Sequence, residues 1–180
     1  MSESERSYFQ LEQAREVADV FARHLVDFLF IGKGGAIILG YPAATQDVDI
    51  FPRKTVENGE RIVRALIELG FEIDSTATAE ITRGKDFVQL KDGPFDLDLV
   101  FAPDGIENFD EARSRRIVVD GFPVANIRDI IASKRASGRQ KDLNDLPLLE
   151  DFQHEFEKIR RDETKTSLEL ALGSTDPSET

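Results

Sequence analysis

Hydrophobic positions recur with two different periods along this chain, and the change of period marks the predicted elements. From Leu11 to Phe28, apolar residues recur every three or four positions, which predicts an amphipathic helix. Short apolar runs that end at glycine, proline or aspartate predict strands. The predicted strands are residues 28–31, 48–51, 71–73, 87–90, 95–101, 117–119 and 122–124.

Capping residues and glycines predict where the remaining helices begin and end. Thr55 and Asn126 each precede a helical pattern as N-caps, and Asp129 resembles the second half of a capping box. Gly70 and Gly138 follow such patterns as helix ends. The pairs Asp92-Gly93 and Asp120-Gly121 predict hairpin turns between strands. The further predicted helices are residues 34–39, 56–69, 127–137 and 142 to about 161, with Pro147 near the start of the last.

Chain length and composition favour one domain and exclude several classes of protein. The 180 residues carry 40% hydrophobic positions, no cysteine and a formal net charge of −12. No apolar run approaches the ~20 residues needed to span a bilayer, and residues 1–6 are polar, unlike a signal peptide. Disulfides and thiolate metal sites are excluded, and broad nonspecific DNA binding is disfavoured. We expect a cytoplasmic protein.

The domain boundaries follow from the same patterns. We expect a single domain over residues 1–163, with its core between residues 28 and 150 and no internal repeat. Residues 164–180 are expected to form a flexible tail, with helical character around residues 168–172 and disorder from Gly173 onward.

Two pairs of aspartates alternate with apolar residues in predicted strands. Asp47 and Asp49 flank Val48, and Asp96 and Asp98 flank Leu97. Each pair lies on one face of its strand, because side chains alternate across a strand. If the two strands are neighbours, three or four carboxylates converge, which is costly unless a divalent cation neutralises them.

The alternative reading is that these acids line the solvated face of an amphipathic strand. A single Asp-x-Asp leaves the two readings equally favoured, whereas two pairs with upstream glycines favour a site. A calcium-binding EF-hand is excluded, because Phe51 and Pro52 occupy the next ligand and glycine positions.

A glycine pair and a cluster of basic residues accompany the acids. Gly34-Gly35 follows an apolar run and opens a short predicted helix, where backbone N–H groups favour an anion; the alternative is a tight turn. Lys134 lies on the apolar stripe of its helix and needs a partner. A triphosphate, with Arg139 and Lys141 nearby, and an ion pair with Asp142, Asp145 or a strand aspartate are both compatible with that position.

The glycines and acids together resemble the DNA polymerase β-type nucleotidyltransferase superfamily. Its pattern is an apolar residue, Gly-Gly or Gly-Ser, roughly ten residues, Asp-x-Asp, and a third acid on a later strand. Here the pattern falls on Gly34, Gly35, Asp47, Asp49 and Asp98, with Asp96 in reserve for Asp98.

A later segment extends the resemblance to one bacterial subgroup of this superfamily. Residues 134–146 contain a lysine, further basic residues and Asp-x-x-Asp, as in the bacterial subgroup related to abortive-infection (AbiEii/MenT-like) nucleotidyltransferase toxins. The resemblance covers about residues 28–150. One departure is Ala43, where relatives often carry an arginine, and this departure leaves a reduced or altered activity open.

The resemblance implies a mixed α/β (α+β) nucleotidyltransferase fold: a small twisted mixed sheet flanked by helices, with a C-terminal helical portion. It implies Mg²⁺-dependent transfer of a nucleoside monophosphate from an NTP, such as ATP, to a hydroxyl. Asp47, Asp49 and Asp98 would act in catalysis and hold Mg²⁺, with two ions expected. The residues expected to bind the nucleotide are Lys33, Gly34, Gly35, Thr45, Lys134, Arg139 and Lys141.

The sequence does not determine which molecule accepts the nucleoside monophosphate. The acceptor implied by the resemblance is the 3′ end of tRNA, a protein hydroxyl or a small molecule, and a cognate toxin or antitoxin partner is compatible with it. A rival interpretation is a catalytically weak or inactive binding or antitoxin protein with the same fold, which Ala43 supports and the three acids oppose. A metal-dependent phosphohydrolase is a competing enzyme class.

Overall fold

Residues 8–173, which the computed structural model describes, form a six-stranded mixed sheet flanked by seven helices. The strands are β1 (Phe28–Phe30), β2 (Asp47–Pro52), β3 (Phe87–Leu90), β4 (Asp96–Val100), β5 (Ile117–Val119) and β6 (Phe122–Val124). The helices are α1 (Leu11–Arg23), α2 (Gly32–Ile38), α3 (Val56–Glu68), α4 (Ser75–Arg83), α5 (Phe109–Ser114), α6 (Ile127–Ser137) and α7 (Gln140–Gly173).

The strand order across the sheet is β3-β4-β2-β1-β6-β5. Strand β2 runs parallel to β4 and antiparallel to β1, and β1 runs parallel to β6. The β3–β4 and β5–β6 pairs are the two predicted hairpins. Asp120 and Gly121 both have positive φ, as a two-residue type I′ turn requires. The mixed α/β fold predicted above is therefore confirmed.

The centre of the sheet is buried on the face opposite the aspartates. Val48 and Ile50 of β2, and Leu97 and Leu99 of β4, are at most 1% exposed. The buried apolar residues of the described chain form one cluster, which also includes residues of α1, α3 and α6. Because this interior is close-packed, it fixes the position of the strands that carry the aspartates.

The first helix is confirmed, but its apolar face differs from the prediction. Leu11 is exposed, Leu25 is exposed beyond the end of the helix, and Phe28 begins β1, as the predicted strand 28–31 indicates. Val17 and Val20 take buried positions in their place. The helix ends at Arg23, so the apolar spacing beyond it reflects the loop and strand that follow.

One predicted strand is wrong, and two helices were not predicted. Residues 71–74 form no strand, and α4 begins at Ser75 with the Asp74 side chain accepting a hydrogen bond from the Ala77 N–H. Helix α5 has six residues and is capped by Asn108. Both helices are short and bury few apolar side chains, so the helical period was weak in the sequence.

The C-terminal helices begin and end as their caps predict, with two differences. Gly138 ends α6 with a φ of +63°, and Asn126 caps its start. Asp129 pairs with Arg115, whose Nε donates to both carboxylate oxygens at 2.9 and 2.8 Å. Helix α7 is longer than predicted and continues through Pro147 to Gly173, including the segment 168–172.

The terminal predictions fall partly beyond this range. Gly173, where disorder was predicted to begin, is instead the last residue of α7. The polar segment 1–6 and residues 174–180 lie outside the described residues. No helix among residues 8–173 combines the length and the apolar character needed to cross a bilayer.

Candidate active site

Two neighbouring parallel strands present four aspartates on one face of the sheet. The register of β2 and β4 pairs Asp47 with Asp96 and Asp49 with Asp98. Residues in register on adjacent strands project to the same side. The two acidic strands expected from the sequence therefore do lie side by side.

A cavity of about 660 Å³ lies against this acidic face. Its wall includes Asp47, Asp49 and Asp98, whereas Asp96 is not among the lining residues. Asp98 is buried and Asp47 and Asp49 are half-buried. The structure thus brings together in one cavity the three acids that the sequence singled out first.

Burial and mutual repulsion make these carboxylates unusual. Burial, followed by the negative charges of Asp98 and Asp47, raises the pKa of Asp49 to about 7, although Lys134 and Lys141 oppose the shift. Burial and Asp47 also raise the pKa of Asp98 to about 6, against the effects of Gln89 and Lys91. The surrounding cationic side chains therefore compensate only in part for the negative charge of these carboxylates.

The donor atoms suit a hard divalent cation. Among the described residues, Asp98 Oδ1 is buried without any hydrogen-bond partner. Carboxylate oxygens are the ligands that Mg²⁺ prefers, and a cation would offset both the repulsion and the unpaired oxygen. As placed within residues 8–173, however, no three acidic or histidine side chains stand close enough to form a ready-made metal site.

The glycine that contacts the acids is Gly32, which the sequence reasoning did not single out. Gly32 has a φ of +64°, and a Cβ there would lie 2.3 Å from Asp49 Oδ2. The Ile31 N–H donates to the Asp49 carbonyl at 3.0 Å, which fixes this approach. Only glycine allows the backbone to pass this close to the Asp49 carboxylate.

The predicted glycine pair lies behind this contact. Gly34 and Gly35 are buried and are not among the lining residues, whereas Gly32 and Lys33 are. The Gly35 N–H donates to the Ile31 carbonyl at 2.9 Å, and a Cβ on Gly35 would lie 3.1 Å from the Phe30 carbonyl oxygen. In the structure, Gly35 allows α2 to pack closely against the end of β1.

Lys134 is buried and paired with two acids of α7. Its Nζ lies 2.9 Å from Asp142 Oδ1 and 3.3 Å from Asp145 Oδ2. Lys33 Nζ reaches the same Asp145 oxygen at 2.9 Å. The ion-pair alternative for Lys134 is therefore present, and Asp145 joins α2 to α6 and α7 at the cavity wall.

Asp142 is the most enclosed member of this network. Burial alone would raise its pKa, but hydrogen bonds from Lys134, Ser137 and Arg139 lower the pKa to about 2. The Ser137 Oγ and the Arg139 Nε each donate to Asp142 Oδ2 at 2.7 Å. Asp142 is thus charged at neutral pH and is the centre of the hydrogen-bond network beside the cavity.

The other predicted nucleotide-binding residues also reach the cavity. Thr45, Arg139 and Lys141 line it, and the Thr45 carbonyl accepts a hydrogen bond from the Phe9 N–H at 2.8 Å. Ala43 is exposed and is not part of the lining. Most of the lining residues that the sequence reasoning missed lie on β3, beside β3, or on β4 and the segment after it: Asp86, Phe87, Gln89, Lys91, Val100, Ala102, Pro103 and Asp104. Others are Ile130, Ser133 and Ser137 of α6.

Comparison with known proteins identifies the fold. No protein-family model matches the chain, and no curated protein matches it. Lincomycin-bound LnuA, a lincosamide antibiotic adenylyltransferase, has a similar structure, with a TM-score of 0.54, 14% sequence identity, and coverage of 80% of this chain and 98% of LnuA. A Thermotoga maritima protein provisionally assigned as a nucleotidyltransferase has a TM-score of 0.44, 15% identity, and coverage of 91% and 92%. The fold of this chain is thus a nucleotidyltransferase fold.

Proposed function

We propose that this protein transfers a nucleoside monophosphate from an NTP to a hydroxyl group and releases pyrophosphate. The observation that carries the proposal is the arrangement of Asp47, Asp49 and Asp98 on paired parallel strands, in one cavity that basic residues also line. The nucleotidyltransferase fold supports it, and LnuA is itself described as an adenylyltransferase of an antibiotic.

The three acids are proposed to bind two Mg²⁺ ions. Their oxygens suit a hard cation, and the unpaired Asp98 Oδ1 provides a free ligand atom. When bound, the cation supplies charge stabilisation to the phosphates and to the attacking and leaving oxygens. Because no ready-made group of three ligands stands among residues 8–173, the ligands are expected to adjust when metal and nucleotide bind together.

Asp98 is proposed to orient the acceptor hydroxyl and to accept its proton. It is buried in the cavity wall; with Oδ1 proposed as the ligand of the cation, the second carboxylate oxygen would be the one that accepts the proton. The neighbouring β3 supplies Gln89 in register with Asp98, which helps to fix the carboxylate. Catalysis would then consist mainly of positioning and charge stabilisation, without a covalent enzyme intermediate.

The basic side chains of α2, α6 and the start of α7 are proposed to bind the triphosphate. Lys33 and Lys134 both contact Asp145 in the structure, so a phosphate group would take the place of that carboxylate for at least one of them. Arg139 and Lys141 are exposed at the cavity rim and can add to this binding. We assign the close backbone approach at this site to Gly32.

The substitution Asp49→Asn tests the proposal. We expect it to abolish transfer of label from α-labelled NTPs in the presence of Mg²⁺, while a thermal melt shows a folded protein. The metal-free variant should melt at or above the wild-type temperature, because the folded-state pKa of about 7 means that a charged Asp49 destabilises the fold near neutral pH. Asp19→Asn, on the exposed face of α1, serves as the matched control. Unchanged turnover in Asp49→Asn would refute the assignment.

A noncatalytic binding protein is the second candidate function. Two observations favour it: Lys33 and Lys134, two of the lysines that line the cavity, are already paired with carboxylates, and no ready-made metal site stands among the described residues. Such a protein would still show an NTP-dependent rise in melting temperature, but no label transfer to any component of a total cell extract. Release of free phosphate in place of pyrophosphate would instead indicate a phosphohydrolase.

A further inference from the structure

An exposed aromatic side chain stands at one end of the cavity. Phe87 on the edge strand β3 is 46% exposed, and it lines the cavity together with Val100. The β3–β4 register pairs these two residues directly. Two strand positions further along, Gln89 pairs with Asp98, so this apolar pair lies next to the acid proposed to orient the acceptor.

Two carboxylates lie at the same end of the cavity. The Phe101 N–H donates to the Asp86 carbonyl at 2.9 Å, which holds the start of β3 against the end of β4. Asp86 lines the cavity beside Phe87. Asp104 also lines it, two residues after Ala102, whose N–H donates to the same Asp86 carbonyl at 3.4 Å. Asp86 Oδ1 accepts a hydrogen bond from Lys54 Nζ at 3.3 Å in an exposed ion pair, and the Asp104 side chain has no ion pair within residues 8–173.

The cations of the cavity come from its other elements. Lys33 lies on α2, Lys134 on α6, Arg139 in the turn between α6 and α7, and Lys141 at the start of α7. Of these, Lys134 and Lys141 lower the pKa of Asp49. The groups that lower the pKa of Asp98 are instead Gln89 and Lys91. Lys91 follows the far end of β3, about 13 Å along the strand from Phe87. The Phe87 end therefore has acidic and apolar walls.

This division of charge separates two binding regions. A triphosphate is favoured beside the basic elements and is repelled from the Phe87 end. A ligand at the Phe87 end gains from apolar contact with Phe87 and Val100, and from a positive charge near Asp86 and Asp104. A polyanion such as RNA meets carboxylates there, on a chain whose formal net charge is −12. The cavity volume of about 660 Å³ is within the range typical of small-molecule sites.

We propose that the Phe87 end of the cavity binds the acceptor, and that the acceptor is a small hydroxyl-bearing molecule with an apolar group and a protonated amine. This proposal rests on the proposed transferase function and adds to it the class of acceptor. The hydroxyl is presented to Asp98, the apolar group packs on Phe87, and the ammonium group lies near Asp86 and Asp104.

The test uses hydroxyl-bearing small molecules in pairs, each as the free amine and as its N-acetyl derivative. The full-length protein is incubated with MgCl₂, α-labelled NTPs and either these pairs or an RNA oligonucleotide with a free 3′ hydroxyl. We expect label on free amines at least about tenfold above their N-acetyl partners, and none on RNA. Equal labelling within the pairs, or labelling of RNA in their place, overturns the proposal.

Two variants locate the site. Phe87→Ala and Asp104→Asn are each expected to raise the KM for the amine acceptor about tenfold, while leaving the NTP-dependent melting shift unchanged. Ile67→Ala and Asp19→Asn replace exposed residues outside the cavity, on α3 and α1, and should change neither quantity. An unchanged KM in both cavity variants contradicts the assignment.

Failure of the acceptor proposal can be distinguished from failure of the transferase proposal. If NTP and Mg²⁺ shift the melting temperature and Asp49-dependent labelling occurs on RNA or protein only, the transferase function stands and the amine acceptor is wrong. If labelling occurs nowhere, even with total cell extract, the transferase function fails and the acceptor proposal fails with it.

Discussion

At the scale of single residues, Gly32 shows how an absent side chain shapes the candidate site. Its positive φ and its closeness to Asp49 Oδ2 leave no room for a Cβ. The pair Gly34-Gly35, two positions later, is the more conspicuous feature of the sequence. A single glycine before a lysine carries no such signal, and only the fold reveals its contact.

The role of Gly32 can be tested with a matched pair of substitutions. Gly138 has nearly the same φ, +63°, and a Cβ there would meet nothing within 4 Å. Both Gly32→Ala and Gly138→Ala incur the left-handed backbone cost of about 1 kcal/mol. We expect Gly32→Ala alone to reduce transfer by at least about tenfold, because it displaces the Asp49 carboxylate. Steady-state kinetics and thermal melts check this; equal activity in the two variants would contradict it.

The candidate site was only partly predictable at this scale. The alternation of aspartates with Val48 and Leu97 was enough to predict that each pair of aspartates lies on one face of its strand. This was possible because the direction of a strand's side chains depends only on local geometry. The partner of Lys134 was not predictable, since the sequence offered a phosphate, Asp142, Asp145 and the strand acids alike. Only the packing of α6 against α7 selects Asp142 and Asp145.

At the scale of elements, the junction of α6 and α7 is organised around one buried carboxylate. Gly138 ends α6, and the chain turns at once into α7, so Lys134, Ser137 and Arg139 surround Asp142. Breaking a buried ion pair by removing one partner is costly, because it leaves an uncompensated charge. The junction therefore holds the cavity wall in place as well as joining two helices.

The contribution of Asp142 has a defined dependence on pH. Its folded-state pKa of about 2 lies below the usual value of 3.8, so the charged form stabilises the fold above about pH 4, and this contribution is lost as pH falls toward 2. It amounts to at most about 2 kcal/mol.

The substitution Asp142→Asn should therefore lower the melting temperature near neutral pH by several degrees, and the difference from wild type should shrink in acid. Thermal melts at several pH values measure this effect. A difference that is constant down to about pH 2 would show that the charge of Asp142 does not stabilise the junction. Asp19→Asn is again the control.

Most elements were predictable, and the exceptions share a cause. Residues 87–90, 117–119 and 122–124 were predicted to the residue, because short apolar runs lay between clear turn signals. The strand predicted at residues 71–73 was wrong because Phe71 and Ile73 alternate in a loop, and α4 buries only Ile81. Asp74 and Asn108 are suitable N-cap residues for α4 and α5. An N-cap residue alone does not predict a helix when no apolar stripe follows it.

At the scale of the whole molecule, the long helix α7 divides into two parts. Its first half contains the buried residues Asp142 and Leu149, and Phe152 and Phe156 pack against the core cluster. Every residue from 158 to 173 is exposed. The domain boundary predicted near residue 163 therefore falls within the exposed part of this helix.

Removal of residues 164–180 tests that boundary. We expect the shortened protein to melt within about 4 °C of the full chain and to retain its NTP-dependent melting shift, because the removed helix segment buries nothing in the core. The contrasting variant is Leu149→Ala, which should destabilise the fold by roughly 2–4 kcal/mol. Aggregation or unfolding of the shortened protein would place the boundary further along the chain.

The parallel pairing of β2 with β4 has a consequence for how the chain folds. The hairpin of β3 and β4 closes locally, but β4 meets β2 only after the connection 53–95 has folded back across the sheet. Pairings between distant segments form late, because the loop entropy must be overcome first. Asp49 and Asp98 are distant in the sequence, so their mutual repulsion arises only where β4 lies beside β2. The same two strands bury Val48, Ile50, Leu97 and Leu99 on their other face, and this apolar burial offsets the repulsion between the acids.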